Sequence, residues 1–247
     1  MKLQFVLCLA VALIILGTGC DKSTEPKTTG MLSFSSLYST APAPAGSLQS
    51  LGKQAGALAV DSVRINRARF VLRDIKFKTQ SDSMNYRTDP FVLELSLSGA
   101  VQSVSALDVP FNTYRRIEFD VHRVEAPEIS RLPQSDQSAF TEFLAGERYG
   151  IIIDGTVYKT GLQPQSFVFR SKVDAKQKVD LAPELIVSEA APTANVTMLI
   201  SSANWFKSSG VFLDPTDAMN EIEITENLKS SIRVYKDNNR DGLKDPN

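Results

Sequence analysis

The stretch Val63-Arg64-Ile65-Asn66-Arg67-Ala68-Arg69-Phe70-Val71-Leu72-Arg73-Asp74-Ile75-Lys76-Phe77 decides the fold class. Val63 and Ile65 share one parity, Ala68, Phe70 and Leu72 the other, and Ile75 and Phe77 return to the first. Alternation with a period of two is the mark of an extended chain with one face buried. Two changes of phase predict two strands, or one strand with bulges. The opposite positions carry Arg64, Arg67, Arg69, Arg73, Lys76 and Lys78, a basic stripe that we read as a solvated sheet face rather than a binding surface.

Outward from this stretch the same period recurs. Phe91, Leu93, Leu95 and Leu97 alternate with polar and small residues, and residues 101–109 read as a further strand ended by Pro110. Tyr114 to Val124 gives the clearest strand, with Ile117, Phe119 and Val121 on one face and Glu118, Asp120 and His122 on the other. Further strands are expected at 149–158, with a bulge at Gly155, and at 166–172, 178–187 and 195–203. Many short strands separated by turn signals, without alternating long helices, predict an all-β protein. The expected form is an antiparallel β-sandwich, immunoglobulin-like or prealbumin-like, with one or two short helices.

The first of these helices is expected between Pro127 and Gly146, capped by Ser135 or Asp136, with Ala139, Phe140, Phe143 and Leu144 at helical spacing on the surface. The second follows the Asp214-Pro215 turn, capped by Thr225, with Leu228, Ile232 and Tyr235 on one face. Trp205, the sole tryptophan, reads as a packing residue.

The start of the chain sets the expected compartment. Lys2 precedes a twelve-residue apolar run, Phe5 to Leu16, followed by Gly17-Thr18-Gly19-Cys20. The run is shorter than the ~18 residues of a spanning helix, which predicts a signal peptide over residues 1–19. It resembles a bacterial lipoprotein signal, with Leu16 one position earlier than usual, and this resemblance implies lipidation at Cys20. The other cysteine, Cys8, lies inside the signal, so Cys20 has no disulfide partner and a thioether to lipid accounts for it. Residues 20–56 are rich in Ser, Thr, Pro, Ala and Gly and read as a lipid-anchored flexible tether, with Met31-Leu32-Ser33-Phe34 a possible short docking strand. The sandwich domain is then expected at 57–213 and a helix-and-loop segment at 214–247.

Composition bounds the function classes. The 247 residues are 43% hydrophobic and 22% charged, enough apolar surface for a core. Removal of Lys2 with the signal leaves 26 of the 27 Lys and Arg against 28 Asp and Glu, a formal charge of about −2, so there is no electrostatic case for nucleic acid.

Chemistry concentrates at the end of the chain. Asp237-Asn238-Asn239-Arg240-Asp241-Gly242-Leu243-Lys244-Asp245 places oxygen side chains at loop positions one, three, five and nine and glycine at six. Calcium takes six to eight hard oxygen ligands, and alternate residues of a tight loop supply them. Asp237, Asn239, Asp241, the Leu243 carbonyl and Asp245 are therefore candidate ligands of a structural calcium ion. The loop resembles an EF-hand or dockerin repeat, lacks the acidic residue at position twelve, and matches in Asp245 the nine-residue loops of integrin-type propellers.

Catalytic signatures are mostly missing. His122 is the only histidine, which excludes paired-histidine zinc motifs, and it is expected on the outer, solvent-facing side of its strand. No Gly-x-Ser-x-Gly elbow, phosphate loop or dinucleotide fingerprint occurs. No catalytic residue is assigned. Glu118 and Asp120, sharing a strand face, are the nearest thing to a carboxylate pair for glycan hydrolysis.

Three segments carry a family resemblance: Val63 to Phe77; Val109-Pro110-Phe111-Asn112-Thr113-Tyr114 leading into Ile117-Glu118-Phe119; and Ile151-Ile152-Ile153-Asp154-Gly155-Thr156 before Phe167-Val168-Phe169. Over residues 57–206 the chain resembles an uncharacterised bacterial lipoprotein family, the domain of unknown function 4382. That resemblance implies a β-rich envelope protein and no catalytic residues. The combined expectation is a lipid-anchored protein of the bacterial cell envelope, in the periplasm or at the outer-membrane surface. It would be attached to the membrane through its N-terminal lipid and act as a calcium-stabilised binding or adhesion module for an unknown envelope or extracellular ligand. A carboxylate-dependent glycan hydrolase and a structural assembly subunit are the alternatives.

Overall fold

The computed structural model describes residues 28–41, 59–80, 83–87 and 89–246. The expected signal peptide, Cys20 and most of the expected tether lie outside them. The protein is all-β. Its strands are β1 (Thr29–Ser39), β2 (Val60–Lys78), β3 (Ser83–Arg87), β4 (Phe91–Glu94), β5 (Gln102–Pro110), β6 (Asn112–Val121), β7 (Ile151–Lys159), β8 (Gln165–Ser171), β9 (Ala175–Val187), β10 (Thr193–Ser201), β11 (Lys207–Ser208), β12 (Val211–Phe212) and β13 (Ile232–Lys236). Helices α1 (Ala126–Ile129), α2 (Gln134–Gln137) and α3 (Glu221–Ser230) are short.

Two sheets enclose the main core. One has the order β13-β10-β1-β5; the other runs β8-β7-β2-β6-β9, with β3 and β4 also pairing β2. Pairing is antiparallel except between β1 and β10, which run parallel from Met31 opposite Thr193 to Ser39 opposite Ser201. Leu32 and Phe34 of β1, Phe70 and Leu72 of β2, Ile117 and Phe119 of β6, and Val196 and Met198 of β10 meet in one cluster. Each is excluded from solvent, and burial of this kind contributes roughly 1.5–3 kcal/mol per large apolar side chain.

The two phase changes read from 63–77 are bulges in one 19-residue strand. Its register shifts at Val60/Ser62, Ile65/Arg67 and Arg73/Lys76, and Asp74 takes a φ of 53°. Along one edge β2 pairs first with β7 and, beyond Val71, with β6. The changeover is stitched by Val71 N–H donating to the Gly150 carbonyl at 2.8 Å and His122 N–H donating to the Val71 carbonyl at 2.9 Å.

Three local expectations are corrected. The Met31–Phe34 strand is longer than read and lies inside its sheet, so the sandwich takes a strand from the stretch assigned to the tether. Its Ser-rich alternation puts Leu32 and Phe34 in the core and Ser33 and Ser35 on a second, polar but buried face. The C-terminal helix begins at Glu221 and ends at Ser230. Asp217 caps the preceding 3-10 turn by accepting from Met219 N–H at 2.9 Å, while Thr225 shares a hydrogen bond with Ser171. Ile232 and Val234 then alternate as buried residues of β13, because period two wins over the helical spacing of Leu228, Ile232 and Tyr235.

The third concerns residues 126–149, which are a broken cover rather than one surface helix. Helix α2 passes into a 3-10 turn at Ser138–Phe140, where Thr141 Oγ1 donates back to the Ser138 carbonyl at 2.9 Å. Phe140 and Phe143 pack with Val71, Val124 and Ile152 on the outer face of the larger sheet. Gly146 supplies the expected positive φ, 60°. The basic stripe is therefore not simply solvated: Arg69 is 4% exposed beneath this cover.

Candidate binding cleft and the C-terminal loop

The C-terminal loop folds back over the polar outer face of β1 and β10. Asp237, 0% exposed, accepts through Oδ2 from Thr197 Oγ1 at 2.7 Å and Gly242 N–H at 3.2 Å, and through Oδ1 from Asp241 N–H at 3.1 Å. Asn239 Oδ1 accepts from Asp241 N–H, and Asp241 Oδ1 from Leu243 N–H, two successive bends that curl the loop. Asn239 Nδ2 donates to Asp241 Oδ2 at 2.8 Å, and Asp245 Oδ2 accepts from Asn238 N–H at 3.0 Å. Arg240 reaches across to Ser33 Oγ at 2.6 Å. Gly242, at φ 82°, lies so close to Leu37 that a Cβ would stand 2.9 Å from Cδ2.

Tyr235 donates its hydroxyl to the Gly242 carbonyl at 2.7 Å. Burial first, then the charges of Asp237 and Asp241, push its pKa up to about 12. All five candidate ligands thus sit in one loop; Leu243 is 68% exposed, and Asp237, Asn239, Asp241 and Asp245 each accept at least one hydrogen bond within it. Among the described residues no three His, Cys, Asp or Glu side chains converge as metal ligands.

His122 is not solvent-facing. It is 3% exposed, with Nε2 2.7 Å from Glu128 Oε2 and Nδ1 3.3 Å from Asp174 Oδ1. Burial alone would raise the Glu128 pKa; the hydrogen bonds from His122 and from Glu125 N–H, with the charges of His122 and Arg73, outweigh it and hold the carboxyl below its ordinary range. Glu118 is 7% exposed, and its carboxylate lies 3.3 Å from Lys176 Nζ. Burial works to raise its pKa, but Lys176, with Lys78 and Lys178, brings it below the ordinary value. Asp120 lies 3.5 Å from Arg73. A general acid for glycan cleavage needs a raised pKa, so Glu118 is tuned in the wrong direction for that role.

An open cleft of about 530 Å³ lies at the Ser39 end of β1, where the two sheets and the β11–β12 hairpin meet. Val63, Ile65, Leu97 and Phe206 supply apolar lining, Thr40, Ser202 and Asn204 polar lining. Its volume is in the range typical of small-molecule sites, roughly 300–1,000 Å³. Tyr38 and Ser202 share a hydrogen bond of 2.8 Å. Beneath this end Trp205 is fully buried against Tyr38 and Phe70, ring centroids at 6.2 and 5.9 Å, which agrees with its reading as a packing residue. The hairpin turns through Ser209 and Gly210, φ 48° and 85°, and pairs Lys207 with Phe212. Among the described residues Arg64 and Lys207 are the cleft's charged residues, and no Asp or Glu lines it.

Sequence reasoning did not find this cleft. The usable signal was the Ser209-Gly210 dipeptide between Phe206-Lys207 and Val211-Phe212, which marks a two-residue hairpin, but nothing local says that the hairpin faces β2. No protein-family model, curated protein or solved structure matches this chain.

Proposed function

We propose that the mature chain is a lipid-anchored cell-envelope protein of bacteria, similar to the domain of unknown function 4382 lipoproteins, whose β-sandwich head is a binding module. The observation that carries the binding reading is the open cleft, lined among the described residues by apolar, hydroxyl and cationic side chains without a carboxylate. Glycan hydrolysis draws no support from Glu118, held ionised beside Lys176. The anchor reading rests on the apolar run from Phe5 to Leu16 followed by Cys20.

Strand β1 adds a geometry to this reading. It starts at Thr29, eight residues after Asp21 begins the mature chain's post-cysteine stretch, and eight extended residues reach at most about 28 Å. Lipid on Cys20 would hold the Thr29 end of the sandwich toward the bilayer. The cleft, at the Ser39 end, then opens away from it by the length of an eleven-residue strand, about 36 Å. The C-terminal loop serves the same head as a candidate calcium site through Asp237, Asn239, Asp241, the Leu243 carbonyl and Asp245; bound calcium would supply charge neutralisation and cross-linking there.

Metabolic labelling with an alkyne-bearing fatty acid tests the anchor. The wild type should be labelled and sediment with membranes, and Cys20→Ala should be unlabelled and soluble. An unlabelled wild type removes the anchor from the model.

A further inference from the structure

We propose, building on the binding-module reading, that the cleft takes a small organic anion with an apolar body. Several cations of the larger sheet are neutralised by carboxylates. On β2 Arg67 is paired with Glu94 at 2.7 Å, Arg69 with Glu142 at 2.9 Å and Arg73 with Glu128 at 2.5 Å. Arg115, Arg116 and Lys176 are likewise paired, with Glu184, Asp180 and Glu118.

The two cations of the cleft have no such neutralising partner among the described residues, a property they share with Arg87 and Arg170, which stack on Phe91 and Tyr149 outside the cleft. Arg64 donates its Nε to the neutral amide oxygen of Asn66 at 3.1 Å and has no carboxylate partner among the described residues. Lys207 places its ammonium 4.9 Å from the centroid of Phe212 and also has no carboxylate partner there. The ring holds that cation against an apolar wall without neutralising it. Two uncompensated positive charges beside Val63, Ile65, Leu97 and Phe206 attract negative charge at one part of a ligand and bury apolar surface at another. Thr40 and Asn204 add hydrogen-bonding groups at the exposed rim.

Two fluorescent probes that share one apolar body separate the charge from the shape: 8-anilinonaphthalene-1-sulfonate and the uncharged N-phenyl-1-naphthylamine. Wild type should bind the sulfonate about tenfold more tightly than the neutral probe, a difference that shrinks as salt rises. Lys207→Gln and Arg64→Gln should each weaken the sulfonate by about threefold or more and leave the neutral probe unchanged. Ala203→Trp, which fills the cleft, should weaken both probes; Thr40→Trp at the rim does the same work should Ala203→Trp melt below the assay temperature. Equal affinity for the two probes, or sulfonate binding indifferent to Lys207→Gln and Arg64→Gln, overturns the anion assignment while the cleft stands as a binding site. Binding of both probes that survives Ala203→Trp and Thr40→Trp overturns the cleft itself.

Discussion

The ring of His122 lies 2.7 Å from the carboxylate of Glu128 across the gap between β6 and α1, and its other nitrogen lies 3.3 Å from Asp174 ahead of β9. The second oxygen of Glu128 takes Arg73 Nη1 from β2 at 2.5 Å. Two other segments therefore meet the buried imidazole, and a third, β2, is tied in through Glu128, beside the point where β2 exchanges β7 for β6. The cover at 126–149 is fastened at that seam, and the polar contacts do it together with Phe140 and Phe143.

Removing the ring should loosen the cover. His122→Ala leaves Glu128 and Asp174 without a shared partner and should cost about 1–3 kcal/mol of unfolding free energy, read from urea denaturation. Cleavage by a protease within 126–149 should accelerate before global unfolding does. Unchanged denaturation and cleavage would mean that apolar packing alone holds this segment.

The same cluster sets an acid limit. Glu128 has a folded-state pKa below its ordinary 4.5, so the unfolded chain binds its proton more readily than the folded one. Its contribution to stability is complete above pH 4.5 and is lost as pH falls below that value through the folded pKa. Denaturation midpoints measured between about pH 3 and 6 should fall less steeply in Glu128→Gln than in wild type. Parallel curves would locate the acid sensitivity elsewhere.

Asp237 closes the C-terminal loop onto the sheet. Asp237→Ala strands the Thr197 hydroxyl proton and the Gly242 N–H and leaves the Asp241 N–H only Asn239 Oδ1, and should destabilise by about 2–4 kcal/mol. Tyr235→Phe removes one hydrogen bond and should cost about 1 kcal/mol. Similar losses for the two variants would show that Asp237 is not the main fastening.

Calcium has a direct readout at this loop. With about 1 mM calcium the melting temperature should rise by roughly 2–5 °C over a chelated sample, and Asp241→Ala should abolish the rise. A wild-type melting curve indifferent to calcium and chelator leaves the loop closed by its hydrogen bonds alone.

Gly155 permits the bulge that turns β2 against β7. A Cβ there would stand 2.5 Å from the Arg64 carbonyl oxygen and 2.5 Å from the Phe167 ring. Gly155→Ala should therefore lower stability by about 1–3 kcal/mol, visible as a lower yield and midpoint. A neutral outcome would require β2 and β8 to separate at little expense.

Period-two patterning made most of the sandwich legible. Strand β6 was readable from Ile117, Phe119 and Val121, and the bulges of β2 from its two phase changes, because alternation is imposed locally by the geometry of an extended chain. The calcium-like spacing at 237–245 is readable for the same local reason, whereas the hydrogen bonds those oxygens accept are not. The full length of strand β1 is hidden in the sequence because its serines suggest a solvated segment, and only its docking between β10 and β5 makes Ser33 and Ser35 interior residues. The burial of His122 is not legible in the sequence because alternation names the face of a sheet but not what covers it.

Local order along the chain thus carried the extended strands, the turn residues and the absence of familiar catalytic signatures. Tertiary packing decided which polar groups are satisfied: Ser33 meets Arg240 across 207 positions, and Arg69 has a carboxylate while Arg64 has none among the described residues. Electrostatic and desolvation energies depend on distance in space and on burial, neither of which is written in the order of residues. The cleft belongs to that second class, since β2, the end of β1 and the β11–β12 hairpin acquire a common surface only when the two sheets close on their core.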